Sequence, residues 1–202
     1  QELKPFQLSF QVNPLGSPQG QKTEVKEGET QMVFKNKEET YAILLGNNYI
    51  SFHTLSHYQG WDIFKKELIS PFIEKYFNLG YGKELTSSQM IYINNFEIGT
   101  GKKLSNYLTF VPDMEYFGEG DELSHLFQSA YDISPNKRLQ LKTILNVFGP
   151  ERTKKVTLEC NCISKNTVNH DIPWSELAQD AHDNAKNAFI KIATPEFKEE
   201  IK

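Results

Sequence analysis

The chain reads as one α+β domain over residues 1–202, a curved, mostly antiparallel sheet of about seven to eight strands carrying two long amphipathic helices. Three observations predict it. Short stretches with apolar residues at every second position recur along the chain, as half-buried strands require. Two longer stretches instead repeat their apolar residues every three or four positions, the stripe of a helix lying on a sheet. Between them stand clusters of Gly, Asn, Asp and Pro that suit tight turns.

Taken in order, Phe6, Leu8, Phe10 and Val12 alternate as a first strand, and Pro14, Gly16, Pro18 and Gly20 open a loop that runs to Glu29. Met32-Val33-Phe34, Tyr41–Leu45 and Tyr49–Leu55 then form a three-stranded meander, with Gly46-Asn47-Asn48 as a hairpin turn tolerant of positive φ. After Gly60 the residues Trp61, Phe64, Leu68, Phe72, Ile73, Tyr76 and Phe77 mark the first helix, with a kink expected near Ser70 because Pro71 lacks an N–H. Gly80 and Gly82 are its expected stop.

Gln89–Ile98 is rich in β-branched and aromatic residues and reads as a central strand. Met90, Tyr92, Asn94 and Phe96 share one face, and Ile91, Ile93 and Ile98 are assigned largely to the other. Residues 99–122 break the pattern and read as an insertion or long loop, with one helical turn at Leu104–Leu108. Strands resume at Ser124–Ile133 and Leu139–Phe148, and a third run carries Val156, Leu158, Cys160 and Cys162 in alternation after the turn Gly149-Pro150-Glu151-Arg152. Pro173 then opens a helix with Trp174, Leu177, Ala178, Ala181, Ala185, Ala188, Phe189 and Ile192 on its apolar face. Thr194-Pro195-Glu196 reads as the cap and first turn of a short last helix. This order suggests two successive meander-plus-helix halves.

A net charge of −4 from 22 basic and 26 acidic residues, evenly scattered, gives no support to a nucleic-acid partner. Lys137-Arg138 and the group Arg152, Lys154, Lys155 fall at opposite ends of one antiparallel hairpin and make no single patch. No apolar run reaches the ~18 residues that span a bilayer, so no membrane is expected. Cys160 and Cys162 point the same way from one strand, a poor geometry for a mutual disulfide, and reduced thiols favour a cytoplasmic setting. The chain starts at Gln1 without a methionine, so its beginning is expected to be truncated. A chain of this length buries roughly 70% of its unfolded surface and needs neither metal nor cofactor for stability.

The chemistry-bearing residues are few. His53 and His57 have the spacing of helical zinc ligands but fall on a strand and a turn, and no Glu follows His53. Cys160 and Cys162 lack the two-residue spacer of metal knuckles, and the proximity of His170, eight residues downstream on the loop before the last helix, is weak evidence for a thiol nucleophile. Asp113, Glu115, Glu119, Asp121 and Glu122 match no calcium loop, and Gly99-Thr100-Gly101-Lys102 lacks the full phosphate-loop spacing. His182, beside Asp183, borders the apolar stripe of the final helix.

Two stretches, Met90-Ile91-Tyr92-Ile93-Asn94-Asn95 and the tail Ala181-His182-Asp183-Asn184, Asn187-Ala188-Phe189 and Thr194-Pro195-Glu196-Phe197, resemble a sporadically distributed bacterial family of uncharacterised proteins. The chain departs from that family around Gln89-Met90-Ile91, where the family strand has Leu-Arg. The resemblance implies a bacterial cytoplasmic protein and carries no activity with it.

No titratable pair stands at a spacing that catalysis demands, so the leading expectation is a non-enzymatic interaction or accessory domain with a protein partner. The alternative is a small-ligand-binding domain whose pocket, between sheet and helices, is lined by Tyr92, Asn94, Asn95, Phe96 and His182. A hydrolase using His53, His57 or His182 is the third reading.

Overall fold

Alternation and helical periodicity translate into an α+β arrangement in the computed structural model, which describes residues 6–12, 32–46, 49–55, 58–79, 85–99, 102–110, 124–148, 153–166 and 172–200. The strands are β1 (Phe6–Val12), β2 (Met32–Lys35), β3 (Tyr41–Leu45), β4 (Tyr49–Thr54), β5 (Leu85–Ile98), β6 (Ser124–Ser134), β7 (Lys137–Phe148) and β8 (Thr153–Lys165). Two antiparallel groups, the three strands β2-β3-β4 and the four strands β5-β8-β7-β6, lie either side of β1. That first strand pairs parallel with both β4 and β5, which departs from the otherwise antiparallel pattern.

Turn chemistry explains the first meander. Asn36 accepts from the Tyr41 backbone N–H through Oδ1 at 2.9 Å and donates to Thr40 Oγ1 at 2.7 Å, closing the β2–β3 connection. At the next turn a Cβ on Gly46 would lie 2.3 Å from the Tyr49 ring, so any larger residue there would displace that ring. Asn47 and Asn48, expected to complete that turn, lie outside the described residues.

The first helical segment begins after Gly60, whose φ of 110° is a conformation that side-chain-bearing residues rarely adopt. It runs as α1 (Trp61–Phe64), a π turn (Lys65–Ile69) and α2 (Ser70–Asn78). The break expected at Ser70 therefore lies one turn earlier. Pro71 cannot donate, and the Ser70 N–H reaches back five residues to the Lys65 carbonyl. The wider turn advances the buried face by one position. Phe64, Ile69 and Ile73 are fully buried, whereas Leu68 and Phe72, expected from regular spacing, are only partly so. Gly80 and Gly82 lie outside the described residues.

β5 begins four residues earlier than expected, at Leu85. Ser88, Met90, Tyr92, Asn94 and Ile98 are buried along its core face, which corrects the placement of Ile98 on the opposite one. The correction follows from strand period: positions of one parity share a face. Opposite them in register stand Cys162, Cys160 and Leu158 of β8, and beyond these Leu139, Leu141 and Thr143 of β7. On the other face Gln89 donates to Asn161, and Asn161 donates in turn to Gln140, both at 3.0 Å, a polar ladder across three strands.

Over the core face lies α3 (Trp174–Ile192), with Ala178, Ala181 and Ala185 fully buried. Small side chains bring its backbone close to β5 and β8, and Cys160 and Cys162 fill the sheet side as buried free thiols. Asp180 fixes the register of this contact. Its carboxylate accepts from Lys137 Nζ at 2.6 Å and from the buried Ser164 hydroxyl at 2.7 Å. Thr194 caps α4 (Pro195–Glu200) by accepting from the Phe197 N–H at 3.2 Å.

Part of the expected insertion belongs to the core. A 3₁₀ turn at Leu104–Asn106 places Leu104, Tyr107 and Leu108 in buried positions, and Leu108 bridges to Ala193. The acidic residues 113–122 and the turn 149–152 lie outside the described residues. Lys137 pairs with Ser164 and Val147 with Lys154, so Lys137-Arg138 and Lys154-Lys155 sit at opposite ends of the hairpin, Arg152 lying outside the described residues. Among the described residues no helix is long and apolar enough to cross a membrane.

Candidate functional site

Between β5, the segment leading into α1 and the middle of α3 lies a cavity of about 560 Å³. β5 brings Tyr92 and Asn94 to it, two positions apart and therefore on one face. Gly60 turns the chain so that Tyr58, Trp61 and Asp62 reach the opposite wall. From α3 come Gln179, His182, Asp183, Lys186 and Phe189, spaced three and four apart along one helical stripe.

A continuous set of ring contacts organises the wall. The Trp61 indole stacks on the His182 imidazole at 4.6 Å between centroids and 16° between planes. His182 in turn meets Tyr92 at 5.8 Å, and Tyr92 meets Tyr58 edge-on at 6.1 Å. The Tyr58 and Tyr92 hydroxyl oxygens lie 3.3 Å apart and share one hydrogen bond, which leaves one of their two hydrogens to donate elsewhere. Trp61 is held in place by its N–H donating to Gln179 Oε1 at 2.7 Å, and the Gln179 amide donates to Asp183 Oδ1 at 3.1 Å.

The polar atoms at the inner end are uncharged. Burial pushes the Tyr58 phenol up to about 12, and burial with the neighbouring Tyr58 raises Tyr92 further. His182 is 5% exposed, and burial lowers its pKa below the ordinary value against the opposing pull of Asp183. Its Nδ1 lies 2.9 Å from Asp183 Oδ1. A carboxylate only accepts, so Nδ1 carries the hydrogen and Nε2 of the neutral ring is left with its lone pair.

Asn94 is one of three buried polar side chains left unpaired among the described residues. It is 1% exposed, and its Nδ2 has no hydrogen-bond partner among the described residues. An unmet buried donor costs roughly 1–3 kcal/mol. Ser88 and Thr143 also carry unpaired hydroxyls, but neither lines the cavity.

Of the five residues singled out from sequence, the cavity joins Tyr92, Asn94 and His182. Asn95 falls on the opposite face of β5, where its Oδ1 accepts from Thr157 at 2.7 Å. Phe96 packs into an aromatic cluster with Phe197 and Tyr107, at 4.4 and 5.4 Å. Tyr58, Trp61 and Gln179 were missed as site residues. The signal for Gln179 was present in the 179, 182, 183, 186 stripe; Tyr58 and Trp61 depend on the turn at Gly60.

The other candidates are dispersed. His53 is mostly buried on β4, its Nε2 2.8 Å from Ser51 Oγ, and burial lowers its pKa to about 4. A ring that resists protonation so strongly is a weak base at neutral pH. Cys160 and Cys162 are pushed up to about 12 and about 11 by burial, which leaves little thiolate. His57 and His170 lie outside the described residues, and among those described no three His, Cys, Asp or Glu side chains gather as a metal site would require. No family model, curated protein or solved structure matches the chain.

Proposed function

We propose that the chain is a non-catalytic domain that binds a small molecule in the cavity between β5 and the helical layer. The observation that carries this reading is the cavity walled by the stacked Trp61 and His182 rings with Tyr92 and Tyr58, with Asn94, whose carboxamide nitrogen is buried and unpaired, among its lining residues. Supporting it are the aromatic wall around Tyr92 and the volume, which lies in the range of small-ligand sites. The reading treats the eight strands as one curved sheet and the Trp61 and Trp174 helices as the amphipathic layer enclosing its ligand. Such a ligand raises the melting temperature with the logarithm of its concentration. The test is thermal unfolding against a broad panel of metabolites, with mass spectrometry of the small molecules released from purified protein on denaturation. A compound that stabilises the wild type but not Asn94→Leu supports the proposal, and the absence of any such compound or co-purified molecule counts against it.

A second reading, a docking domain for a protein partner, draws on a different observation. Met32, Val33 and Phe34 on β2 are 55%, 54% and 48% exposed at an outer edge of the sheet. Exposed apolar edges invite pairing with a strand of another protein. Val33→Lys would abolish such pairing while leaving ligand binding in the distant cavity unchanged, which separates the two readings.

A further inference from the structure

At one end of the sheet β6 carries an open edge that suits a second copy of this chain. We infer that two molecules pair antiparallel along β6, about a two-fold axis at Ser129, so that their sheets join into one. Such a dimer is independent of the ligand-binding reading and leaves the cavity untouched, because β8 and β7 lie between β5 and β6.

Among the described residues β6 has a neighbouring strand on one side only, and it is 11 residues long where strands commonly have about five or six. Exposed edges are ordinarily kept short, or guarded by Lys, Pro or a bulge that turns them away. β6 contains no Lys, Arg, Pro or Gly, and its one irregularity against β7 comes at its far end, between Asp132 and Ser134. Apolar side chains stand open on both of its faces, Leu126 at 69% exposure on one and Tyr131 at 51% on the other. At the opposite edge of the sheet β2 has 4 residues and ends on Lys35, so β6 is the longer and less guarded of the two.

The order of side chains favours a second copy as the occupant. In an antiparallel pair centred on Ser129, Phe127 stands opposite the partner's Tyr131 and Gln128 opposite the partner's Ala130, and two-fold symmetry makes each contact twice. Aromatic residues directly opposite one another are among the favourable cross-strand pairs. A two-fold pair also closes, leaving neither molecule with an open β6 edge.

Charge selects the same arrangement. Asp132 is the only carboxylate on the strand, and Arg138 of its own chain donates to it at 2.8 Å. With the axis at Ser129 the two copies of Asp132 lie roughly 20 Å apart along the ribbon, beyond the ~8 Å over which physiological salt lets exposed charges interact. Parallel pairing, or an axis at Asp132, would set the two carboxylates side by side. Pairing along one strand makes a small interface beside the roughly 1,600 Å² of a standard one, so association in the micromolar range is expected.

The experiment is sedimentation velocity on the full chain from low to high micromolar concentration. The expected result is a monomer–dimer equilibrium whose dissociation constant rises at least tenfold in Gln128→Lys/Ala130→Lys and in Gln128→Glu/Ala130→Glu, which change two exposed side chains and set like charges opposite one another. An equal mixture of the two variants should dimerise again, because Lys then faces Glu. Circular dichroism and melting curves establish that both are folded. Residues facing across the axis lie ~4.5–5.5 Å apart, within disulfide range, so Ser129→Cys should cross-link on mild oxidation. Gln128→Cys, whose symmetry mate is a diagonal neighbour at roughly 7–8 Å, should not. The native Cys160 and Cys162 are buried and do not compete. A wild type that stays monomeric at the highest concentration overturns the inference. So does a dimer that withstands both charged variants and is broken by Val33→Lys, which would place the contact on β2. Failure of the mixture to dimerise, or cross-linking through Gln128→Cys in place of Ser129→Cys, overturns the register.

Discussion

Trp61 and His182, 121 positions apart in sequence, stack nearly parallel at 4.6 Å. The indole is thus a built-in reporter of the imidazole's protonation, since a cation held over its face perturbs the excited state where a neutral ring does not. In a Trp174→Phe background, which leaves Trp61 as the single tryptophan, fluorescence should fall on acidification with a midpoint below 6.5. His182→Gln should remove that titration. A midpoint at or above 6.5 would contradict the burial of the ring.

His53 predicts an acid-labile stability. Its folded pKa of about 4 lies below the ordinary value, so the folded state binds fewer protons than the unfolded one at intermediate pH. Stability is therefore full above about pH 6.5 and declines as pH falls toward about 4, by roughly 3 kcal/mol in total. Urea midpoints measured at pH 7.5, 6, 5 and 4 should show the decline, and His53→Gln should flatten most of it.

Asp180 joins α3 to the sheet through Lys137 and Ser164. Substituting Asp180→Ala strands the buried Ser164 hydroxyl and removes a partly buried ion pair, a loss of about 1–3 kcal/mol. Lys137→Met, which spares the Ser164 bond, should cost less. Equal losses in chemical denaturation would show that the ion pair dominates.

Cys160 and Cys162 should resist thiol reagents in the folded state. Both are fully buried under α3 with pKa values raised well above the usual thiol range. Labelling by a disulfide reagent at pH 8 is expected to be at least a hundredfold slower than in urea, and to speed up in Asp180→Ala as the helix loosens its hold. Rapid labelling of either thiol in the native protein would show that the helix does not cover them.

The π turn makes an unusual demand on the first helical segment. Ile69→Ala should cost about 2–5 kcal/mol as a core truncation, and Leu68→Ala distinctly less, whereas regular helical spacing predicts the reverse order. Thermal denaturation of the two variants decides between them.

Those two residues also show where sequence reading stopped. Periodicity located the segment and most of its apolar residues, but a single five-residue step is invisible to a pattern that assumes 3.6 residues per turn. Alternation located β7 and β8, and the three- and four-residue repeat located α3, because each has one wet and one dry side. It could not place β1 between β4 and β5, since pairing partners remote in sequence leave no local trace. The site was half legible for the same reason. Tyr92, Asn94 and His182 lie on faces that periodicity predicts, Asn95 was included by adjacency although strand geometry turns it away, and Tyr58 and Trp61 arrive through a turn that depends on Gly60.

The seat of β1 has a consequence for how the sheet is assembled. Leu8 pairs with Ile50 and with Ser88, 42 and 80 positions further along the chain. The β2–β4 and β6–β8 ribbons, by contrast, close through neighbours, and loop-closure entropy favours such local pairings first. On this hypothesis β1 is the last strand to engage, and until it does both β4 and β5 present raw hydrogen-bonding edges to any other chain in the same state. Pulse-labelling hydrogen exchange during refolding should find the Leu8–Gln11 amides protected after those of β7 and β8; simultaneous protection would mean that the central strand is in place from the start.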